Sequence, residues 1–179
     1  MRQFLAALFG LAALASTSAA QDMDQLEAAL AELAGHWTGA LTYRDYRTGE
    51  LAEIPHERTV RLAPDGSYMI TELAFVDPGY RVFGAELVTI EGDHLVVASV
   101  GYGGSEMIEA RLVAFARTET GWSAELSSQG NDDNAPADIL YQIEFAEGVM
   151  RQTKRVRLIG SDAFQLRNET RVRRTTAPG

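Results

Sequence analysis

From His36 onward the chain alternates apolar and polar residues with a period of two, interrupted at regular intervals by turn-forming residues. The first stretch, Gly35-His36-Trp37-Thr38-Gly39-Ala40-Leu41-Thr42-Tyr43, sets Trp37, Gly39, Leu41 and Tyr43 against His36, Thr38, Ala40 and Thr42. That is the signature of a strand with one face on a core. Breaks follow at Arg47 to Glu50, Ala63 to Gly66, Asp77 to Gly79, Glu91 to Asp93, Gly101 to Ser105, Glu119 to Gly121, Gly130 to Pro136, Glu147-Gly148 and Gly160 to Asp162, each rich in Gly, Pro, Asp or Asn. Nine breaks separate ten strands, over 36–46, 53–62, 67–76, 80–90, 94–101, 106–117, 122–129, 137–146, 149–159 and 163–173. Short links between long consecutive strands favour an antiparallel meander, and ten twisted strands tend to curl shut. The pattern predicts an all-β fold, a single up-and-down antiparallel β-barrel of about ten strands, with Trp37, Leu41, Val60, Trp122, Leu126, Ile139, Tyr141, Ile143, Phe145, Val156, Leu158, Leu166 and Val172 facing in. A two-sheet sandwich is the competing solution, although it usually needs a crossover longer than the Gly130 to Pro136 gap.

Ahead of the strands, Leu26, Ala29, Leu30 and Leu33 recur at helical spacing. They predict a short helix over Asp22 to Ala34, capped by Asp22 or Asp24 and stopped by Gly35. Such a helix would lie across one end of the barrel. Ahead of it, Arg2, an apolar run from Phe4 to Ala15, and the small residues of Ser18-x-Ala20 have the form of a secretory signal peptide cleaved after Ala20. The run is too short to span a bilayer, and acidic Asp22, Asp24 and Glu27 follow it. Residues 1–20 are therefore read as a leader and 21–179 as one barrel domain, periplasmic or secreted and without stable membrane insertion.

Composition narrows the chemistry. The chain has no cysteine, which removes disulfides, zinc–thiolate sites and a thiol for lipid attachment together. A net charge of −9 argues against nucleic acid as a partner. The charge is uneven: Arg151, Lys154, Arg155, Arg157, Arg167, Arg171, Arg173 and Arg174 crowd the C-terminal part against Asp162 and Glu169. Either that cluster meets an anionic partner, or it closes the barrel against acidic earlier strands.

Gly35-x-Trp37 after a short helix, an up-and-down meander, and a basic Thr170-Arg171-Val172 near the end together resemble the calycins, the lipocalin and fatty-acid-binding-protein barrels, in an exported bacterial form. The resemblance covers nearly all of residues 21–179. It implies a lumen for a small apolar molecule, a structural Gly35 and Trp37, and a late arginine packed over that Trp, with Arg171 the candidate. Arg173 stands where fatty-acid-binding proteins carry a Tyr. Ten-stranded haem barrels of the nitrobindin type are similar in plan but use a late His ligand, and no His follows His94.

Polar residues on inward faces are the candidate site. In the second strand His56 and Arg58 share parity with Ile54, Val60 and Leu62; in the ninth Gln152 and Lys154 share it with Met150 and Val156; in the tenth Asn168 and Thr170 share it with Leu166 and Val172. A buried cation without a partner costs several kcal/mol. Two readings follow. Arg58, Lys154 and His56 hold an acidic head group, with Gln152 and Asn168 beside them and the ligand's body against Tyr43, Trp122 and Tyr141; or Arg58 lies at the rim or pairs with an inward Glu72 or Glu109.

Neither a catalytic constellation nor a metal site stands out. His36 and His56 lack any metal-binding spacing, Asn131-Asp132-Asp133-Asn134 lacks the spacing of a calcium loop and reads as a solvated turn, and no nucleophile elbow, phosphate loop or dinucleotide fingerprint occurs. No cofactor is expected. Gly101-Tyr102-Gly103-Gly104-Ser105 joins strand to strand and reads as a flexible portal loop. The expected function is an exported small-molecule-binding barrel for an apolar or amphipathic ligand with an acidic head, without turnover. The alternatives are a calycin-like isomerase or other lipid-modifying enzyme pairing His56 with Glu72 or Glu109, and a non-catalytic envelope protein that binds partners through its outward arginines.

Overall fold

Ten strands, each paired with its successor, run round until the last meets the first. In the computed structural model, which describes residues 21–45, 47–77, 79–101 and 104–176, these are β1 (Gly35–Arg44), β2 (Leu51–Leu62), β3 (Met69–Asp77), β4 (Tyr80–Glu91), β5 (His94–Gly101), β6 (Gly104–Arg117), β7 (Gly121–Asp132), β8 (Ala135–Ala146), β9 (Val149–Leu158) and β10 (Gln165–Thr175). All pairings are antiparallel, and β1 lies between β2 and β10, so the barrel is closed. Closure removes both sheet edges, which is why ten long strands need no covering layer outside. The leader read over residues 1–20 lies outside the described residues, as do Tyr46 at the end of the first expected strand and Pro78, Tyr102 and Gly103 of the turn signals.

The widest expected gap is in fact a hairpin. β7 and β8 pair through Asp132↔Ala135, leaving only Asp133 and Asn134 in the turn, at φ 50° and 61°. Two consecutive left-handed residues form the tight turn whose twist matches the flanking strands, and Asp and Asn are the non-glycine residues that best tolerate it.

The helix α1 covers 21–31 among the described residues. Asp22 and Asp24 therefore lie within the helix rather than capping it from outside. Met23, Leu26, Ala29, Leu30 and Leu33 are all buried, and they join Trp37, Trp122, Met150 and Val172 in one cluster at one end of the barrel, the floor. Each of the larger side chains contributes roughly 1.5–3 kcal/mol by burial, so the helix is held by packing. Directional contacts fix its angle. The Trp37 indole Nε1 donates to the Leu33 carbonyl at 2.9 Å, Arg117 meets Glu32 at 2.6 Å, and Arg174 donates to the Glu32 carbonyl. Gly35, at φ 138°, turns the chain from helix into β1 in a conformation that side chains disfavour.

Two irregularities move side chains off the simple alternation. A register shift between Leu112 and Ala114 brings Phe115 opposite Ala124, and another between Leu166 and Asn168 sets Leu166 opposite the exposed Arg155. Leu166 is thus not an inward residue of the same set as Thr170 and Val172, because an extra residue in one strand shifts all that precedes it onto the other face. Leu158 keeps its parity but lies at the end of β9 remote from the helix, 42% exposed.

Candidate functional site

Between the floor and the far, open end the lumen holds a cavity of about 300 Å³. Leu30 of α1 and Leu33 just after it reach it from below, and Val60, Met69, Val88, Leu95 and Met150 form its apolar lower wall. Strands in a closed barrel tilt, so cross-strand neighbours form rows that climb the wall. One row runs Val60, Thr71, Glu86, Ser99, Glu106 across β2 to β6, passing from the dry floor to charged groups within five strands. The lumen is apolar near the helix and polar above it.

Arg58 is the centre of the polar part. Its Nε donates to His56 Nε2 at 3.1 Å and its Nη1 to Gln152 Oε1 at 3.4 Å. Both partners are neutral. Burial lowers the guanidinium's pKa, opposed by the charge of Glu86, yet an arginine keeps its proton in any protein setting. The result is a half-buried cation facing the cavity with no carboxylate in hydrogen-bond contact among the described residues.

His56 is 1% exposed and stacked on Phe75, ring centres 4.7 Å apart. Because Nε2 accepts from Arg58, the neutral ring carries its proton on Nδ1. That Nδ1 is buried and makes no hydrogen bond among the described residues, so the Ala74 carbonyl, which favours the charged ring, acts on it only weakly. Burial, then the Arg58 charge, hold the imidazole pKa down to about 3.

Higher on the wall Lys154 Nζ lies 3.9 Å from Asp132 Oδ1, and Arg167 Nε lies 3.5 Å from the same oxygen. The bulge in β10 brings Arg167 to this carboxylate. Tyr141, opposite Lys154 in register, has its hydroxyl pKa pushed up to about 12 by burial, with Ser128 opposing, so it is a neutral donor.

Of the residues expected at the site, His56, Arg58, Gln152, Lys154, Asn168 and Tyr141 border the one cavity. Tyr43 does not; with Leu41, Ile54, Phe75 and Val82 it borders a separate shallow depression. Trp122 does not either, being packed beneath the cavity between Phe115 and Phe145. The arginine over Trp37 is Arg174, its guanidinium carbon 4.7 Å from the ring centre, and not Arg171. Arg171 is exposed and pairs in register with Ala40 and Arg151 on the outer face; the arginine three residues later has the parity of Trp37. Glu72 and Glu109 also point out: Glu72 is bonded to Arg61 outside the barrel, and Glu109 is exposed. The inward carboxylates are Glu86 and Glu106, with Asp132 at the open end, so the Asn131 to Asn134 stretch is not wholly a solvated turn. Parity alone would have found two of them, since Glu86 alternates with Val88 and Ile90, and Glu106 with Ile108 and Ala110. Arg167 depends on a bulge that has no signature in the sequence.

The closed ten-strand barrel with its short helix is compatible with the calycin plan. No protein-family model matches the chain, and no curated protein matches it. The chemistry of the cavity therefore carries the functional argument.

Proposed function

We propose that this chain is an exported carrier of a small apolar or amphipathic molecule with an acidic head group, bound in the barrel lumen. The observation that carries the reading is Arg58, a cation held toward an apolar-floored cavity by two neutral partners, His56 and Gln152. A ligand carboxylate would supply the charge that these partners lack, and charge-assisted hydrogen bonds of this kind are the strong ones. Lys154, Tyr141 and Asn168 border the same space and would supply further donors. The body of the ligand would lie below, toward Leu30, Leu33 and Met150. A volume of about 300 Å³ is at the small end for ligand sites, which favours a medium chain or a compact ring over a long chain. Export rests on the leader read over residues 1–20.

Binding is favoured over turnover by His56 itself. A base whose pKa is near 3, with its acceptor nitrogen already engaged by Arg58, takes up protons poorly at neutral pH.

Calorimetric titration with dodecanoic acid and with its methyl ester tests the proposal. Arg58→Ala is expected to weaken the acid by about tenfold or more, the worth of a hydrogen bond to a charged group, and to leave the ester nearly unchanged. Equal losses for acid and ester, or no binding of either, would overturn it.

A further inference from the structure

The outside of the barrel has one apolar wall that neither the floor nor the lumen uses. Cross-strand register places Ile70, Leu87, Ala98 and Met107 in a single row on the outer face of β3 to β6, with Ala85 and Val100 side by side in the next row. Phe83, opposite Ala74, extends the same face. Met107 is 69% exposed, Phe83 66% and Val100 59%. Scattered exposed hydrophobic residues are ordinary in a soluble chain, but a contiguous row across four strands marks a contact surface.

We propose that this face packs against the same face of a second copy of the chain, about a two-fold axis, as two stacked sheets. Three observations select a second copy as the occupant. The first is shape: the large Phe83, Leu87 and Met107 stand beside the small Ala74, Ala85 and Ala98, so the wall carries both knobs and hollows and can interlock with itself, as an isologous interface requires. The second is charge. The ion pairs that border the wall, Arg61 with Glu72, Arg81 with Glu57 and Arg111 with Asp93, are already satisfied within the chain, leaving a polar rim around an apolar centre. An anionic lipid surface would instead need unpaired cations here, and the exposed Arg151, Arg155, Arg171 and Arg173 lie on β9 and β10, three strands beyond either edge of the wall. The third is size. The exposed side chains of the wall amount to roughly 500 Å² of apolar surface, which together with its rim approaches the ~800 Å² per partner of a stable interface.

Sedimentation velocity of the full chain over a range of concentrations is the test. The expected result is a dimer of twice 19.5 kDa, with Met107→Glu raising the dimer Kd by roughly 100-fold, as removal of an interface anchor does. Phe83→Lys is the second variant, and a preserved far-UV spectrum with unchanged dodecanoic acid binding shows that each remains folded. Arg171→Glu, on the opposite wall, should leave the dimer intact. A parent chain that is monomeric at every concentration, a dimer that survives both folded variants, or a monomer that instead floats with phosphatidylcholine vesicles would overturn the proposal.

Discussion

The Arg174 guanidinium lies over the Trp37 ring while the same indole donates its N–H to the Leu33 carbonyl, so one side chain ties the last strand, the first strand and the end of the helix together. Arg174 also donates to the Glu32 carbonyl, at the helix's C-terminal end where carbonyls lack intrahelical partners. Arg174→Ala is expected to lower stability by about 1 kcal/mol, the scale of an exposed cation–π contact plus a lost cap. Arg171→Ala, on the outer face, should change it by less than about 0.5 kcal/mol. Urea unfolding of both variants separates them; equal effects would show that the contact over Trp37 contributes nothing of its own.

The helix is a structural floor as much as a lid. Leu26 is 0% exposed beneath the barrel, and Leu26→Ala should cost about 3 kcal/mol, since a large-to-small change there leaves a void among groups that relax only in part. A loss below about 1 kcal/mol in the same unfolding experiment would mean that the helix contributes little to the fold.

Acid should weaken the fold before its carboxylates titrate. His56 has a pKa near 3 in the folded chain against an ordinary 6.5, so below pH 6.5 the unfolded chain binds the extra proton. Stability is therefore complete above pH 6.5 and falls as pH drops toward 3, by up to about 1.4 kcal/mol per unit. His56→Gln, which keeps an acceptor for Arg58, should flatten the decline between pH 6.5 and 4. Asp45, Asp65 and Asp138, whose pKa values lie below 3.8 because of hydrogen bonds, lose their contributions only at lower pH. A decline of the same slope in the His56→Gln variant would assign it elsewhere.

Gly39 marks a close approach of β1 and β10. A Cβ at that position would lie 2.1 Å from the Arg171 carbonyl oxygen and 2.8 Å from the Val172 Cα, both backbone atoms that cannot turn aside. Gly39→Ala should destabilise by more than about 2 kcal/mol, measured by thermal unfolding. A near-neutral result would show that the two strands separate easily at this point.

The strands were readable because turn residues mark their ends and the period of two marks their faces. His56, Arg58, Gln152 and Lys154 followed from parity with Val60 and Met150, and they meet in one cavity. Where parity failed, a bulge had reset it: Leu166 moved to the outer set and Arg167 came to Asp132. Trp122 and Tyr43 were misplaced for another reason, since alternation tells which face a residue occupies and not its height along the barrel. Arg171 and Arg174 differ instead in face: three residues apart in one strand, they lie on opposite sides, Arg174 shares the inward parity of Val172, and the register of β10 with β1 sets it opposite Trp37.

Nine of the barrel's ten seams join strands that are neighbours in the chain, and one does not. That seam, in which His36 meets Thr175 and Tyr43 meets Asn168, is a contact between the two ends of the domain. Its formation needs the whole of the intervening chain and carries the largest loop-closure entropy of the ten seams unless the strands between are already in place. Until then β1 and β10 are bare edges able to recruit any strand nearby. Folding of this chain should therefore be timed by the arrival of its C-terminal strand, and a chain cut short before Gln165 would present an open sheet to its surroundings rather than a smaller barrel.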